Sequence, residues 1–239
     1  LVGSEMCIRD SSAHGSPPED FENAKKRGLK IIDAVCPLVT RVHNEAKKYH
    51  NEGKRVLLVG HKGHQEVKGT MGQAPMTLIS DGQDRLIPPW DSSTDVAIIT
   101  QTTLSVQDTS EAISEIQNSF SNATVRNDIC YATTNRQDAV LAMSGKVDMV
   151  LVIGAQNSSN CNRLREVAES LGVDAYLING PSEIHTEWIK PGYRVGVTSG
   201  ASTPEILVDE VVKSLTPLKI TVIPGVEENI SFRLPEELR

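Results

Sequence analysis

Asp128-Ile-Cys-Tyr-Ala-Thr-Thr-Asn-Arg-Gln137 places a cysteine between the end of a predicted strand and the start of a predicted helix. A second stretch, Asp33-Ala-Val-Cys-Pro-Leu-Val-Thr40, has the same form, and its cysteine lies 94 residues before the first one. Gly60 and Gly154, each of which ends a short apolar run, are also 94 residues apart. Equal spacing at two independent landmarks predicts an internal repeat.

Composition narrows the class of protein. The 239 residues are enough for one large domain or two of ordinary size. A net charge of −7 argues against a general surface for nucleic acid or for an anionic membrane. No apolar run approaches the roughly 18–20 residues of a membrane span, and four dispersed cysteines do not resemble a disulfide framework. We therefore expect a protein of a reducing cytoplasm, with no nucleic-acid partner and no membrane.

Alternating strand and helix patterns predict an α/β fold with parallel sheets, in which ligand loops follow the carboxyl ends of the strands. Three polar loops, each between a strand and a helix, indicate three related units: Ser12-Ala-His-Gly15, Thr100-Gln-Thr-Thr103 and Thr198-Ser-Gly-Ala201. Only the second and third units have their front halves in this chain. We therefore predict three pseudo-symmetric α/β domains around a central site, with the first domain largely missing.

The domain boundaries follow from this pattern. Residues 12–36 are predicted to be the remnant of the first α/β domain, residues 37–127 the second and residues 128–216 the third. Residues 1–11, which include Cys7, look like foreign read-through sequence and are expected to lie outside the fold. The tail, residues 217–239, is expected to contain a strand and to pack back on an earlier domain.

The two equivalent cysteines, Cys36 and Cys130, are candidate metal ligands. In a pseudo-threefold arrangement the loops after the strands converge on one cavity, where these cysteines would face each other. Three thiolates on such an axis can hold three irons of a [4Fe–4S] cluster and leave the fourth iron open to substrate. The third cysteine would fall 94 residues before Cys36, beyond this chain. The alternative is a pair of inert, packed thiols, and the matched repeat favours the cluster. Cys161, which has no equivalent in the repeat, is expected to be incidental.

A helix start at Ser158, Ser159 and Asn160 is a candidate phosphate site, because it offers hydroxyls, an amide and free backbone N–H groups. Plain N-capping is the alternative for any one of these serines. Ser202 and Thr203 precede an equivalent helix, where either residue could simply cap it.

His14 and His64 could donate hydrogen bonds to phosphate oxygens, although a loop histidine is more often solvated or structural. Glu66, beside His64, is a candidate proton carrier, because a low dielectric raises the pKa of a carboxyl group. The commoner outcome for a residue such as Glu66 is an exposed surface charge.

Taken together, the motifs resemble one family. They run in family order: Ser12-Ala-His-Gly15, Asp33 to Thr40, Gly60-His-Lys-Gly-His-Gln-Glu-Val-Lys-Gly-Thr70, Thr100-Gln-Thr-Thr-Leu-Ser105, Asp128 to Gln137, Asn157-Ser-Ser-Asn160, Gly200-Ala-Ser202 and Glu227-Glu-Asn229. On these residues the chain resembles the LytB/IspH family of 4-hydroxy-3-methylbut-2-enyl diphosphate reductases.

The resemblance implies a trefoil of three α/β domains around a [4Fe–4S] cluster, with Cys36 and Cys130 as two of its three cysteine ligands. It implies that Glu66 relays protons to the substrate hydroxyl, assisted by Thr102. It also implies that six residues bind the allylic diphosphate substrate: His14, His64, Ser158, Ser159, Asn160 and Ser202. The implied reaction is a two-electron, two-proton reductive dehydroxylation to isopentenyl and dimethylallyl diphosphates, with electrons from ferredoxin or flavodoxin.

The chain departs from the family pattern at its start. The first cluster cysteine, in a Gly-Phe-Cys-type stretch, and one further histidine are absent, and Cys7 does not match that motif. Two thiolates hold such a cluster poorly, so we expect this chain to be inactive as it stands and its full-length parent to be the reductase. An upstream organellar targeting segment is left open. The competing hypothesis is a non-redox diphosphate-binding protein with the same repeat, which would not need both Cys36 and Cys130.

Overall fold

The computed structural model describes residues 8–10, 12–80, 85–223, 225–226, 230–232, 234 and 238. The chain divides into two compact units. Unit 1 comprises residues 1–102, 107–129 and 229–239, and unit 2 comprises residues 103–106 and 130–228. Every strand pair among the described residues is parallel. The predicted α/β class with parallel sheets is therefore confirmed.

Unit 1 holds two sheets. The smaller sheet pairs β1 (Ile8–Asp10) with β2 (Lys30–Ile32), and α1 (Pro18–Lys26) connects them. The larger sheet contains four strands: β3 (Arg55–Val59), β4 (Met76–Ile79), β5 (Val96–Thr100) and β6 (Ala123–Val125). Their order is β4-β3-β5-β6. Three helices complete the unit: α2 (Pro37–Asn51), α3 (Gln65–Met71) and α4 (Val106–Ser119), although Val106 itself groups with unit 2.

The core of unit 1 lies along the two central strands, β3 and β5. Nearly every residue of these strands is buried, as expected for parallel strands that are covered on both faces. The apolar stripe of α2, which includes Val42, Ala46 and Tyr49, packs on Val56 and Leu58 of β3. Full burial of each such aliphatic side chain contributes about 1.5–3 kcal/mol. The carboxyl ends of β3 and β5 are thereby held side by side, and the polar loops follow them.

Unit 2 repeats this plan around one sheet. Its strands are β7 (Met149–Ile153), β8 (Asp174–Ile178) and β9 (Val195–Ser199), in the order β8-β7-β9. Its helices are α5 (Tyr131–Ser144), α6 (Ser159–Ser170) and α7 (Glu205–Ser214). Two 3-10 turns, Pro181–Glu183 and Thr186–Trp188, lie between β8 and β9. Among the described residues, no helix of either unit is both long and apolar enough to cross a membrane.

The internal repeat predicted from the cysteines is confirmed element by element. The starts of α2 and α5, of β3 and β7, and of α3 and α6 are each 94 residues apart. The later pairs, β5 with β9 and α4 with α7, begin 99 residues apart. The order β4-β3-β5 in unit 1 corresponds to β8-β7-β9 in unit 2.

Two expectations about the chain termini need correction. Residues 1–11 were expected to lie outside the fold, yet Ile8–Asp10 pair with Lys30–Ile32, because a second strand satisfies the exposed N–H and C=O groups of β2. Residues 1–7 and residue 11 lie outside the described residues. A strand was expected in the tail, but the described part of residues 217–239 contains none. Leu218 and Val222 are exposed there, whereas the neighbouring Ile223 packs against the core of unit 2. The three-domain boundaries stay a prediction.

Candidate active site

A buried carboxyl group lies at the start of α3. Glu66 is only 1 % exposed, and both of its carboxyl oxygens accept hydrogen bonds from Thr102, which follows β5. The Thr102 N–H donates to Oε1 at 2.7 Å, and the Thr102 hydroxyl donates to Oε2 at 2.9 Å. Burial raises the pKa of Glu66 to about 7, the two Thr102 bonds oppose this shift, and the charge of Asp128 adds to it. The alternative of an exposed surface charge is therefore wrong, and the group can exchange a proton near neutral pH.

Two imidazoles lie at the same end of unit 1. His64 is the N-cap of α3, and its Nδ1 accepts a hydrogen bond from the Glu66 N–H at 3.2 Å. In the neutral ring the proton is consequently on Nε2, which can donate to a ligand. The ring of His14 meets that of His64 edge-on, with 5.3 Å between centroids. The structure thus brings together His14, His64, Glu66 and Thr102, which the sequence had placed in three separate loops.

Cys36 is tied to the loop that carries His14. It is the N-cap of α2, and its N–H donates to the carbonyl of Ala13 at 3.0 Å. Its thiol is half-buried and makes no capping bond to the helix. The loop turns at Gly15, whose φ is +76°, and a Cβ there would meet the ring of His43. Burial lowers the pKa of His43 to about 4, so this ring is neutral and structural.

Cys130 occupies the equivalent place in unit 2. It is the N-cap of α5, and its carbonyl accepts the N–H groups of Thr133 and Thr134 at 2.9 and 3.0 Å. Its thiol is also half-buried and makes no capping bond. Both thiols are half-buried and make no capping bond, so each side chain is left to bind a ligand. Both residues therefore suit the role of cluster ligand.

A complete set of metal donors is nevertheless not found in the part of the chain that the structure describes. Within the described ranges, no group of three or more His, Cys, Asp and Glu side chains could hold a metal ion. Cys161 is fully buried, and a Cβ at either Gly154 or Gly200 would clash with its Sγ. Cys161 is thus a packing residue, as expected, and Cys7 lies outside the described residues. Cys36 and Cys130 each suit the role of a thiolate ligand, and within the described residues neither belongs to a group of three donors that could hold a metal ion.

Unit 2 also contains the candidate phosphate site. Ser158 is the N-cap of α6 and accepts the Cys161 N–H at 3.3 Å, so it does act as a cap. The Thr103 hydroxyl donates to Ser159 Oγ at 3.2 Å. Asn160 is 7 % exposed, and neither atom of its amide has a hydrogen-bond partner in the part of the chain that the structure describes. Because an unsatisfied buried amide costs about 1–3 kcal/mol, this site suits a polar ligand.

The loop that follows β9 lies beside Asn160. A Cβ on Gly200 would lie 3.9 Å from the Nδ2 of Asn160, and exposed Ser202 is two residues further along. The suggestion that Ser202 or Thr203 caps α7 is wrong, because the N-cap is Pro204 and no side chain caps this helix. The Thr203 hydroxyl instead donates to the carbonyl of Ile153 at 2.9 Å and holds this loop against β7.

Two buried polar residues, Asp128 and Gln137, have partners that no sequence motif indicates. Asp128 accepts a hydrogen bond from Arg41 at 3.0 Å, and its N–H donates to Thr100 Oγ1 at 2.9 Å. Burial raises the pKa of Asp128, against the pull of the Arg41 charge. Gln137 bonds to the backbone on both sides of Ser105. Both residues belong to the stretch around Cys130, but their partners are distant in sequence, so no local pattern could have identified them.

Several known proteins are similar to this chain in sequence. The family model described as LytB protein matches residues 7–216, which include the last part of the expected leader. A 4-hydroxy-3-methylbut-2-enyl diphosphate reductase 2 of Bradyrhizobium diazoefficiens is 50% identical over 235 residues, covering 95% of this chain and 76% of that protein. A reductase of the same name from Anaplasma marginale is 48% identical over 97% of this chain and 70% of its own length.

A solved structure is similar as well. It is that of the E-1-hydroxy-2-methyl-but-2-enyl-4-diphosphate reductase from Plasmodium falciparum, with a TM-score of 0.89 and 33% identity. The match covers 96% of this chain and 75% of that one. The expected resemblance, and with it the expectation of an enzyme, is confirmed. The chain belongs to the LytB family.

Proposed function

We propose that the chain is a 4-hydroxy-3-methylbut-2-enyl diphosphate reductase, which replaces the substrate hydroxyl with hydrogen. Two electrons and two protons enter, the C–O bond breaks, and the products are water with isopentenyl or dimethylallyl diphosphate. The observation that carries the proposal is the buried Glu66–Thr102 pair, whose pKa near 7 suits a proton donor at neutral pH. Ferredoxin or flavodoxin is the proposed electron donor.

Glu66 and Thr102 would deliver the proton to the leaving oxygen. Hydroxide is a poor leaving group, so the departing hydroxyl must be protonated as the C–O bond breaks. In its neutral form Glu66 can donate to the Thr102 hydroxyl, which is 2.9 Å away, and Thr102 can pass its own proton to the substrate oxygen. Burial favours the neutral form and keeps bulk water from competing for the proton.

The diphosphate would be bound through hydrogen-bond donors at helix starts. Ser158 and Ser159 offer hydroxyls at the start of α6, where backbone N–H groups and the helix dipole favour an anion. Asn160 can turn its unsatisfied Nδ2 toward a phosphate oxygen, which would remove the cost of its burial. Ser202, from the neighbouring loop, would add another hydroxyl. His14 and His64 are proposed as further donors.

Cys36 and Cys130 are the proposed ligands of a [4Fe–4S] cluster, which when bound supplies the electrons and a Lewis-acidic iron for the hydroxyl oxygen. Because two thiolates hold such a cluster poorly, and Cys36 and Cys130 are the two proposed among the described residues, we expect this chain to hold the cluster weakly and to be inactive by itself. The free thiols suit a reducing cytoplasm, which we propose as its location.

The test uses a chimera that supplies the missing ligand. The N-terminal segment of the Bradyrhizobium relative is joined ahead of Ile8, and the protein is reconstituted anaerobically with iron and sulfide. The chimera should reduce the diphosphate substrate with a chemical reductant. Glu66→Gln should lower kcat by a factor of about 10²–10⁴, because the proton donor is lost. KM should change little, because glutamine keeps the shape of the neutral glutamic acid. The matched control is Glu52→Gln, at an exposed position.

Two outcomes would contradict the proposal. Full activity of the Glu66→Gln chimera would exclude Glu66 as the proton donor. A chimera that binds the diphosphate and has no reductase activity, whether or not Cys36 and Cys130 are replaced by serine, would instead favour the non-redox binding protein.

A further inference from the structure

A four-residue segment of the chain, Thr103–Val106, interrupts unit 1. The chain leaves unit 1 after Thr102, contributes these residues to unit 2, and returns to unit 1 at Gln107. Thr102 makes both hydrogen bonds to Glu66 and is joined by one peptide bond to this segment. Whatever fixes the segment therefore also limits the movement of Thr102.

A side chain from α5 bonds to this segment at two points. Gln137 is 3 % exposed; its Nε2 donates to the carbonyl of Leu104 at 2.9 Å, and its Oε1 accepts the N–H of Val106 at 3.0 Å. The amide thus bonds a carbonyl and an N–H of the segment in the way that a neighbouring strand would. The Thr103 hydroxyl adds a bond to Ser159 Oγ at 3.2 Å. Every one of these contacts lies within unit 2.

We propose that Gln137 is a positioning residue for the proton donor: by fixing Thr103–Val106 it holds Thr102 in place against Glu66. The proposal rests on the proposed role of Glu66 as the proton carrier. A role in packing alone is the competing explanation for a buried glutamine. The two differ in one consequence, because only the positioning role connects Gln137 to the ionisation of a distant carboxyl group.

The direction of that effect follows from the hydrogen bonds. Both bonds from Thr102 stabilise the ionised form of Glu66 and so oppose the rise in its pKa that burial causes. If Thr102 becomes more mobile and its hydrogen bonds to Glu66 weaken, Glu66 should bind its proton more tightly. A hydrogen bond to a charged group is strong enough that weakening one should tighten proton binding by about tenfold. The other groups near Glu66, namely the carboxylate of Asp128 and the ring of His64, are unchanged by a substitution at Gln137.

The test is Gln137→Met in the chain as it exists, without a cluster. Methionine has nearly the same length and volume, and it loses both amide bonds. The titration of Glu66 is followed by NMR of ¹³C-labelled glutamate carboxyls, with the signal assigned by its absence in Glu66→Gln. The pKa of Glu66 should rise above its wild-type value. The expected rise corresponds to an increase of about tenfold in the affinity of Glu66 for its proton. The matched control, Gln107→Met on the exposed side of α4, should leave it unchanged.

A second variant covers a failure of Gln137→Met to fold, which circular dichroism would reveal. Thr103→Val removes the contact with Ser159 from the same segment and should shift the Glu66 titration in the same direction. Unchanged titration in a folded Gln137→Met protein would overturn the proposal. If that protein does not fold, unchanged titration in folded Thr103→Val overturns it instead. Neither result depends on reductase activity, so failure here is distinguishable from failure of the proposed function.

Discussion

The buried Glu66 makes the stability of unit 1 depend on pH in a way that one substitution should remove. Glu66 has a pKa of about 7 in the folded protein against an ordinary value of 4.5, so folding takes up a proton between these pH values. The stabilisation that the neutral carboxyl provides is complete below about pH 4.5 and is lost as the pH rises through about 7. From the linkage between folding and proton binding, the free energy of unfolding should fall by about 2.5 kcal/mol between pH 5 and pH 8.

Glu66→Gln should abolish this part of the pH dependence, since the amide does not titrate and keeps the shape of the neutral acid. Urea unfolding at pH 5 and pH 8 would measure the free energy of unfolding of both proteins. The two tryptophans allow unit 1 to be followed alone: Trp90 lies in unit 1 and Trp188 in unit 2, so a Trp188→Phe background leaves Trp90 as the reporter. Relative to the mutant, the wild type should lose about 2.5 kcal/mol on going to pH 8.

Exposed Glu52 provides the control. Glu52→Gln, in the same background, should show the wild-type dependence on pH. If the stability difference between the wild type and Glu66→Gln were the same at pH 5 and pH 8, Glu66 would have an ordinary pKa. The argument for a neutral proton donor would then fail.

Three further outcomes are expected. After anaerobic reconstitution, the present chain should retain far less iron and sulfide than the chimera, and equal retention would contradict the need for a third thiolate. Asn160→Leu should weaken the binding of inorganic pyrophosphate by about tenfold or more in calorimetry, since the buried amide is lost, while exposed Asn118→Leu should not. Gly154→Ala should lower the free energy of unfolding by about 1–3 kcal/mol, because its Cβ would clash with the Sγ of Cys161. Gly145→Ala, where a Cβ meets nothing within 4 Å, should have little effect, and equal losses would contradict this account.

The central strands could be predicted from the sequence because their signals are local, and the repeat because two such local patterns recur at one spacing. Continuous apolar runs such as Val96–Thr100 are typical of parallel strands that are covered on both faces, and such runs end where polar loops begin. The positions of Cys36 and Cys130 at helix starts followed from the same pattern. These features need only the neighbouring residues to be recognised.

The burial of Glu66 could not be predicted in this way. It depends on contacts with a loop 36 residues away, and a carboxyl at the second position of a helix looks like an ordinary favourable charge. The bonds made by Gln137 and the pairing of Ile8–Asp10 with β2 are also long-range. The strand expected in the tail is not seen among its described residues. Alternating apolar residues around Ile220 favour a strand, but a strand forms only where a partner accepts its backbone hydrogen bonds.

Helices α3 and α6 start at equivalent positions of the repeat, yet equivalent residues at these starts carry different chemical groups. The helix caps His64 and Ser158 are equivalent in the repeat, and so are Glu66 and Asn160, two positions further along. The same strand-to-helix junction thus carries an acid in one copy of the repeat and an uncharged amide in the other. The chemical difference between these two junctions lies in their side chains. Exchanging these residues between the copies would show how much of each role the shared backbone already provides.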